Sequence, residues 1–309
     1  MLGEYSMAEN AQYPQYRFDF LKYRPFVALF TVGLVAAFIG TYMYRVNQRG
    51  EAFSYSVDFT GGTQVLFKFA APVSGSQVRE ILERNGWKNP VMREFKAENE
   101  IVVRVKEFEN NAQGVGQRMQ AALNAEIPNT ELLRIESVGA GVGSELRSKS
   151  TRAVLMALIL MLLYIAFTFW SAAFAVGAVV ALCHDAFVMI AVLLFLDAEF
   201  SIEILGAIMA VLGYSINDTI VIFAQIRNNL TKMRGQSMHE IVNASLNQTL
   251  RRTLLTSFST ALTVGAMFFL GGEGLKDFSL TLLVGIIFGT YSSIYIASPI
   301  MMLLYKERA

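Results

Sequence analysis

Six runs of apolar residues, each long enough to cross a bilayer as a helix, constrain this chain more than anything else in it. The hydrocarbon core of a bilayer takes roughly 20 apolar helical residues. The runs are Phe26–Tyr44, Ala153–Trp170, Ala172–Leu196, Ile202–Ile226, Leu254–Leu270 and Phe278–Leu304. Hydrophobic residues make up 54% of the chain, more than a soluble core uses, and the excess is gathered in these blocks. The expected fold is a polytopic α-helical membrane protein with six transmembrane helices. The first run follows Arg17, Lys22 and Arg24 and ends in Tyr42, Met43, Tyr44 and Arg45. It lacks the shorter apolar region and small-residue cleavage site of a signal peptide, so it reads as a retained anchor. A net charge of +1 gives no sign of a nucleic-acid partner. The single cysteine, Cys183, lies inside an apolar run and forms no disulfide framework.

Short-loop Lys and Arg residues set orientation. Arg17, Lys22 and Arg24 precede span one, Arg227, Lys232, Arg234 and Arg251 lie between spans four and five, and Lys306 and Arg308 follow span six. With six spans these fall on one side, which places both termini in the cytoplasm: residues 1–25 before the first helix and 305–309 after the last. The other short loops carry Asp197, Glu199 and Glu203, then Glu273, Lys276 and Asp277. Arg45, Arg49, Arg147, Lys149 and Arg152 run against the assignment, but they flank a long domain where the rule is weak. The turn near Trp170 and Ser171 is so tight that spans two and three are expected to be antiparallel neighbours.

Residues 45–152 read as a soluble insertion. Val65, Phe67 and Phe69 alternate as in a strand after the Gly61-Gly62 bend. Val78, Ile81 and Leu82 take helical spacing and stop near Asn85-Gly86. Val91–Lys96 and Ile101–Phe108 read as strands around a polar turn at Glu98-Asn99-Glu100. Val115–Ile127 reads as a helix with Met119, Leu123 and Ile127 on one face, and Leu132–Val138 as a closing strand. The order β-α-β-β-α-β is the split pattern of ferredoxin-like α+β domains. Within residues 227–251, Met238, Ile241, Val242, Ser245, Leu246 and Thr249 form an apolar stripe opposite His239, Glu240, Asn243, Asn247 and Arg251. A short helix lying at the membrane interface is expected there.

A charge near the centre of a membrane helix costs roughly 2.5–3.5 kcal/mol on insertion scales, so ionisable residues inside the spans are the informative ones. They are His184, Asp185, Asp218 and Arg252. Asp218 lies in the polar patch Gly213-Tyr214-Ser215-Ile216-Asn217-Asp218-Thr219. Ser215, Asp218 and Thr219 fall within about one turn and are read as sharing a face, so the hydroxyls are expected to hydrogen-bond the carboxylate. Gly213 is expected to admit a neighbouring helix. A carboxyl group in low dielectric can take up and release a proton near neutral pH, which suits a proton relay; a structural polar knot is the competing reading. Arg252 opens span five, with Thr256, Ser259 and Thr263 near its face. Spacing alone favours reading it as an interfacial anchor beside Arg251 over a partner of Asp218. Gly177, Ala181, His184 and Val188 share a face, so His184-Asp185 reads either as a relay or as a buried pair packing spans three and four. Gly285, Gly289, Ser293 and Ala297 form a helix-contact stripe, and Pro299 is placed to kink the last span. No metal-ligand cluster, phosphate-binding loop or nucleophile motif is present, so the chain reads as neither an ATPase nor another enzyme.

These motifs together resemble the SecD/SecF family of bacterial protein-export membrane proteins, on the SecF side. The resemblance rests on Val57-Asp58-Phe59-Thr60-Gly61-Gly62-Thr63, on Val138-Gly139 through Val142-Gly143 with Glu145-Leu146, and on Ala181-Leu182-Cys183-His184-Asp185. Gly213 to Thr219, Asn247-Gln248-Thr249 with Arg252-Thr253, and Gly289-Thr290-Tyr291-Ser292-Ser293 complete it. Residues up to about Gln15 lie outside it.

The resemblance implies a six-span half of the resistance-nodulation-division architecture, in the inner membrane with the soluble domain in the periplasm. It implies a SecD partner, separate or fused, and assistance to unfolded polypeptides leaving the SecYEG channel, driven by the proton gradient with no cofactor. Residues matching Asp218 and Arg252 then belong to the proton path, with Ser215, Asn217 and Thr219 as polar surround. A carboxylate with hydroxyls suits Na⁺ as well as H⁺. Half of a small-molecule or lipid exporter of the same superfamily, and a non-transporting scaffold, are the competing functions.

Overall fold

The computed structural model describes residues 18–95, 98–108, 112–169 and 171–305. The expectations for residues 1–17, Lys96, Trp170, Lys306 and Arg308 lie outside the described residues.

Among the described residues, six helices are long and apolar enough to cross a membrane. In chain order these are α1 (Arg24–Arg49), α5 (Ala140–Phe169), α6 (Ala172–Leu196), α7 (Ile202–Lys232), α8 (Met238–Leu270) and a last one of three parts. That last helix runs as α9 (Glu273–Ser292), a π-helical turn Ser293–Ala297 and α10 (Ser298–Leu304). Between α1 and α5 lie β1 (Ser54–Tyr55), α2 (Val57–Thr60), β2 (Gly62–Lys68), α3 (Gly75–Arg84), β3 (Val91–Phe95), β4 (Glu100–Val105), α4 (Ala112–Asn124) and β5 (Glu131–Val138). A two-residue strand β6 (Glu199–Phe200) sits between α6 and α7.

The soluble sheet has the order β3-β4-β2-β5, and every pair is antiparallel. This is the ferredoxin-like arrangement expected from the alternation of strands and helices. Val65 and Phe67 on β2, Ile101 and Val103 on β4, Val78, Ile81 and Leu82 on α3, and Met119 and Leu123 on α4 form one buried cluster. Apart from Ile101 and Val103, those are positions the periodicity marked, because a residue on the shared face loses its water whichever element carries it. The opposite sheet face, with Gln64, Leu66, Val102 and Glu136, looks across a small cavity to the rim of the membrane helices.

Among the membrane helices, α6, α7 and the last helix pack most closely, whereas α1 exposes nearly all of its apolar residues. Phe169, Phe174 and Phe223 meet at the α5–α6 turn, with centroids 5.2 Å apart for Phe169–Phe174 and 5.0 Å for Phe174–Phe223. Gly285 fits against Val211 and Met189, where a Cβ would lie 2.5 Å and 2.7 Å from their atoms, so the small-residue stripe is a helix contact as expected. Pro299 follows the π turn at the start of α10, where the ladder is already shifted.

Two expectations change. The separate interfacial helix within 227–251 does not form. Arg227–Lys232 continue α7, and a capping box of Ser237 and Glu240 starts α8, which runs unbroken to Leu270. Its 33 residues span about 50 Å, more than the bilayer core, so its first turns stand clear of it. The stripe of Ile241, Val242, Ser245 and Leu246 is buried against protein rather than lipid: Asn229 donates to Ser245 Oγ at 2.8 Å. Asn243 and Asn247 clasp the segment before α1, Asn243 accepting from the Phe20 amide at 2.9 Å and Asn247 donating to the Phe18 carbonyl at 2.7 Å.

Four of the five basic residues that run against the charge rule are matched locally. Arg45 and Arg49 bind Asp197, Arg147 lies 4.9 Å over the Tyr55 ring, and Lys149 pairs with Glu145 at 2.7 Å.

Candidate functional site

Asp218 lies midway along α7 and is 5% exposed. Ser257 of α8 donates to its Oδ2 at 3.3 Å, and Ser257 and Thr290 of α9 share a hydrogen bond of 2.6 Å. Thr290 reaches the carboxyl group through Ser257, and Arg252 acts on it electrostatically. Three helices therefore meet at this carboxyl. Among the described residues Arg252 makes no ion pair with it, and its side chain is exposed.

The polar surround differs from the expected one. Ser215 donates to Asp185 Oδ2 at 2.6 Å, not to Asp218, and Thr219 shares a 2.8 Å hydrogen bond with Ser293 in the π turn. Asn217 is exposed. Helical geometry accounts for the split. At 3.6 residues per turn, Ser215 and Thr219 are rotated from Asp218 by about 60° and 100° to one side, and Asn217 by about 100° to the other. One short polar patch thus serves three neighbours and leaves one face open. Gly213 is on that open face, with no atom of this chain within 4 Å of a Cβ placed on it, so the helix expected against it is not one of this chain's described helices.

The hydroxyls missed by sequence reading are Ser257 and Thr290. Thr256, Ser259 and Thr263 lie with Arg252 on the exposed side of α8, as their spacing predicts, and Thr256 and Thr263 donate to their own helix at Arg252 O and Ser259 O. The buried row of α8 is Thr249, Thr253 and Ser257, a four-residue spacing visible in the sequence.

Asp185 has no exposed surface. His184 Nδ1 lies 3.6 Å from Asp185 Oδ1, and its ring centroid is 6.2 Å from that of Tyr291. Gly177, on the same helix, packs against the Ala297 carbonyl and Met301, so this face also joins span three to span six, while the Ser215–Asp185 hydrogen bond ties spans three and four as expected of a buried pair.

On the soluble-domain side, a cavity of about 150 Å³ separates the sheet from the rim of the membrane helices. Ion pairs cross around it: Arg93 with Asp277 at 2.5 Å, Arg134 with Glu203 at 3.0 Å, and Arg104 with Glu199 at 3.1 Å. Burial holds the Glu199 carboxyl above its ordinary range, against the opposing charge of Arg104. Among the described residues no cluster of His, Cys, Asp and Glu is arranged to hold a metal ion.

Comparisons with known proteins agree on one family. A model described as "Protein export membrane protein SecD/SecF, C-terminal" matches residues 118–307, and one described as "SecD/SecF GG Motif" matches residues 52–73. The chain is 39% identical over 272 residues to the protein translocase subunit SecF of Pseudomonas aeruginosa, covering 86% of this chain and 87% of that protein. It is 36% identical over 262 residues to SecF of Escherichia coli O157:H7, covering 84% and 80%. The crystal structure of Thermus thermophilus SecDF, a translocon-associated membrane protein, matches at a TM-score of 0.81 and 37% identity. That match covers 92% of this chain and 38% of SecDF, so the chain spans well under half of that protein. SecDF in its super-membrane-facing form matches at a TM-score of 0.66 and 36% identity, over 94% and 39%.

Proposed function

Since this multi-pass chain belongs to the SecD/SecF family of protein-export membrane proteins, we propose that it is the SecF-type half of a SecDF unit that uses the proton gradient to draw exported polypeptides across the membrane. The fused Thermus thermophilus relative supports a SecD-type half as the partner. SecYEG and the unfolded chain emerging from it complete the proposed assembly, in the inner membrane of a bacterium. The position of Arg227, Lys232, Arg234 and Arg251 supports cytoplasmic termini and a periplasmic soluble domain.

The observation that carries the reading is the setting of Asp218: a buried carboxyl group joined by a chain of two hydroxyls to two other helices. A hydroxyl is both donor and acceptor. Ser257 donates to the carboxylate with Thr290 donating to Ser257 in turn, and the hydroxyls can rotate to accept once Asp218 carries a proton, so neither state is left unpaired. Arg252 adds a positive charge on the exposed side of α8, which favours the carboxylate from a distance and is sensitive to any shift of α8 against α7. Uptake of a proton on one side and release on the other changes the charge where α7, α8 and α9 meet, and the helices rearrange to suit. The soluble domain, seated on the same helices, transmits that movement to the exported chain.

The test is Asp218→Asn in vesicles that import a secretory protein. Proton-dependent export is expected to vanish while membrane insertion and binding of the SecD-type half persist. Undiminished export would remove the coupling role, and collapsing H⁺ and Na⁺ gradients separately identifies the ion.

A further inference from the structure

The turn Ser56–Gly62 is used in nothing described so far, yet it joins three parts of the molecule. Gly61 (φ +73°) lies so close to the start of α5 that a Cβ would stand 2.6 Å from Ala140 Cα. Gly143, one turn further along α5, has the Gly61 amide 3.0 Å from its own Cβ position. Gly62 opens β2 of the soluble sheet. The preceding residues pair with the α6–α7 connection: Ser54 with Glu199 and Tyr55 with Phe200 in a parallel bridge, followed by the Ser56 amide donating to the Phe200 carbonyl at 3.0 Å.

Asp58 completes this junction. Its Oδ2 accepts a hydrogen bond from Ser56 Oγ at 3.0 Å and another from the Ile202 amide at 3.1 Å. Ile202 is the first residue of α7, beside the N-cap Ser201, whose side chain accepts from the Ile204 amide. The first amides of a helix have no acceptor within it, and the positive end of its dipole favours a carboxylate. A side chain of the soluble domain thus supplies part of the cap of a membrane helix. That helix carries Asp218, 16 residues or about 24 Å further along. The neighbouring Arg134–Glu203 pair is about half exposed on both sides, and such pairs contribute little.

We propose that Asp58 is a positioning residue that ties the soluble domain to the helix bearing the proton site. Displacement of α7 as Asp218 exchanges its proton is handed on to the domain through the Asp58–Ile202 contact. This rests on the coupling reading above and adds the point of transmission.

Two substitutions cut the same contact from opposite sides. Asp58→Ala removes the acceptor. Ile202→Pro removes the donor while keeping the helix, because proline suits the first helical position and Ser201 is already extended there (φ −116°, ψ 172°). In proteoliposomes with the SecD-type half and the channel, each is expected to lower proton-driven export about fivefold or more, the lower end of coupling between sites. Proton entry through the complex is expected to stay within about twofold of normal, since a coupling effect need not touch the flux itself. Asp58→Asn, an equally good helix cap, is expected to restore export. Export unchanged in both cutting variants, or export and proton entry lost together, overturns the proposal. Asp218→Asn run alongside separates the cases: normal export in that variant sinks the coupling reading itself, whereas export lost in Asp218→Asn but unchanged in Asp58→Ala and Ile202→Pro sinks only the transmission point.

Discussion

Gly289 of α9 sits against Ser215 of α7 so closely that a Cβ on the glycine would lie 2.9 Å from Ser215 Cβ. Ser215 is the residue whose hydroxyl holds Asp185. The glycine therefore sets the spacing of two membrane helices and, through it, the reach of a buried hydrogen bond.

Gly289→Val is expected to destabilise the chain by about 1–3 kcal/mol, the usual cost of forcing extra volume into a packed contact. Gly213→Ala meets open space in this chain and is expected to leave its stability within about 1 kcal/mol. Thermal unfolding of the purified protein in detergent compares the two, and equal losses would contradict the packing described.

Ser257→Ala combined with Thr290→Val removes both hydroxyls of the chain at Asp218. A hydrogen bond to a charged group is worth roughly 1.5–3 kcal/mol, so proton-driven export is expected to fall about tenfold or more. Thr219→Val, which breaks the contact with Ser293 and a long hydrogen bond to the Ser215 carbonyl but none to Asp218, is expected to cost about 1 kcal/mol of stability with export per folded molecule little changed. Export assays normalised to folded protein check both.

Arg252 acts on Asp218 through space rather than through a paired fork of hydrogen bonds. Arg252→Lys is therefore expected to keep export within about threefold, and Arg252→Gln to lose most of it, since charge at that distance is what remains. A lysine variant as impaired as the glutamine one would mean that guanidinium geometry matters.

The docked junction should respond to pH in two directions. Burial raises the carboxyl groups of Glu199 and Glu136 above their ordinary range despite Arg104 and Arg134. For Asp197 burial acts the same way, but the Arg49 hydrogen bond and the charges of Arg45 and Arg49 outweigh it and leave the group lowered. Glu199 and Glu136 bind more protons docked than free, so attachment tightens as pH falls from neutral toward about 4.3. Asp197 binds fewer, so its contribution is full above about 3.9 and is lost as pH drops through its depressed value. The hydrogen-exchange protection factor of the Ser56 amide should thus peak in mild acid. Glu199→Gln is expected to flatten the neutral side of that profile, and Asp197→Asn the acid side.

The sequence by itself determined the six spans and the strand–helix order of the soluble domain. Burial from water imposes periods of 2 and 3.6 residues and a minimum apolar length, whatever the partners are. It also marked Asp218, because a carboxylate in an apolar helix is conspicuous without a structure. It could not say which neighbours that carboxyl would find. Ser215 and Thr219 are adjacent to it along the chain, but their rotation about α7 sends them to Asp185 and Ser293, while Ser257 and Thr290, some 40 and 70 residues away, arrive on other helices. The interfacial helix within 227–251 was misjudged for a related reason. Its apolar stripe is real, but a stripe records only that a face avoids water, and here tertiary packing filled that face with protein instead of lipid. Helical periodicity is local, whereas the partner of a buried face depends on how whole helices cross, and that was decided only when they packed.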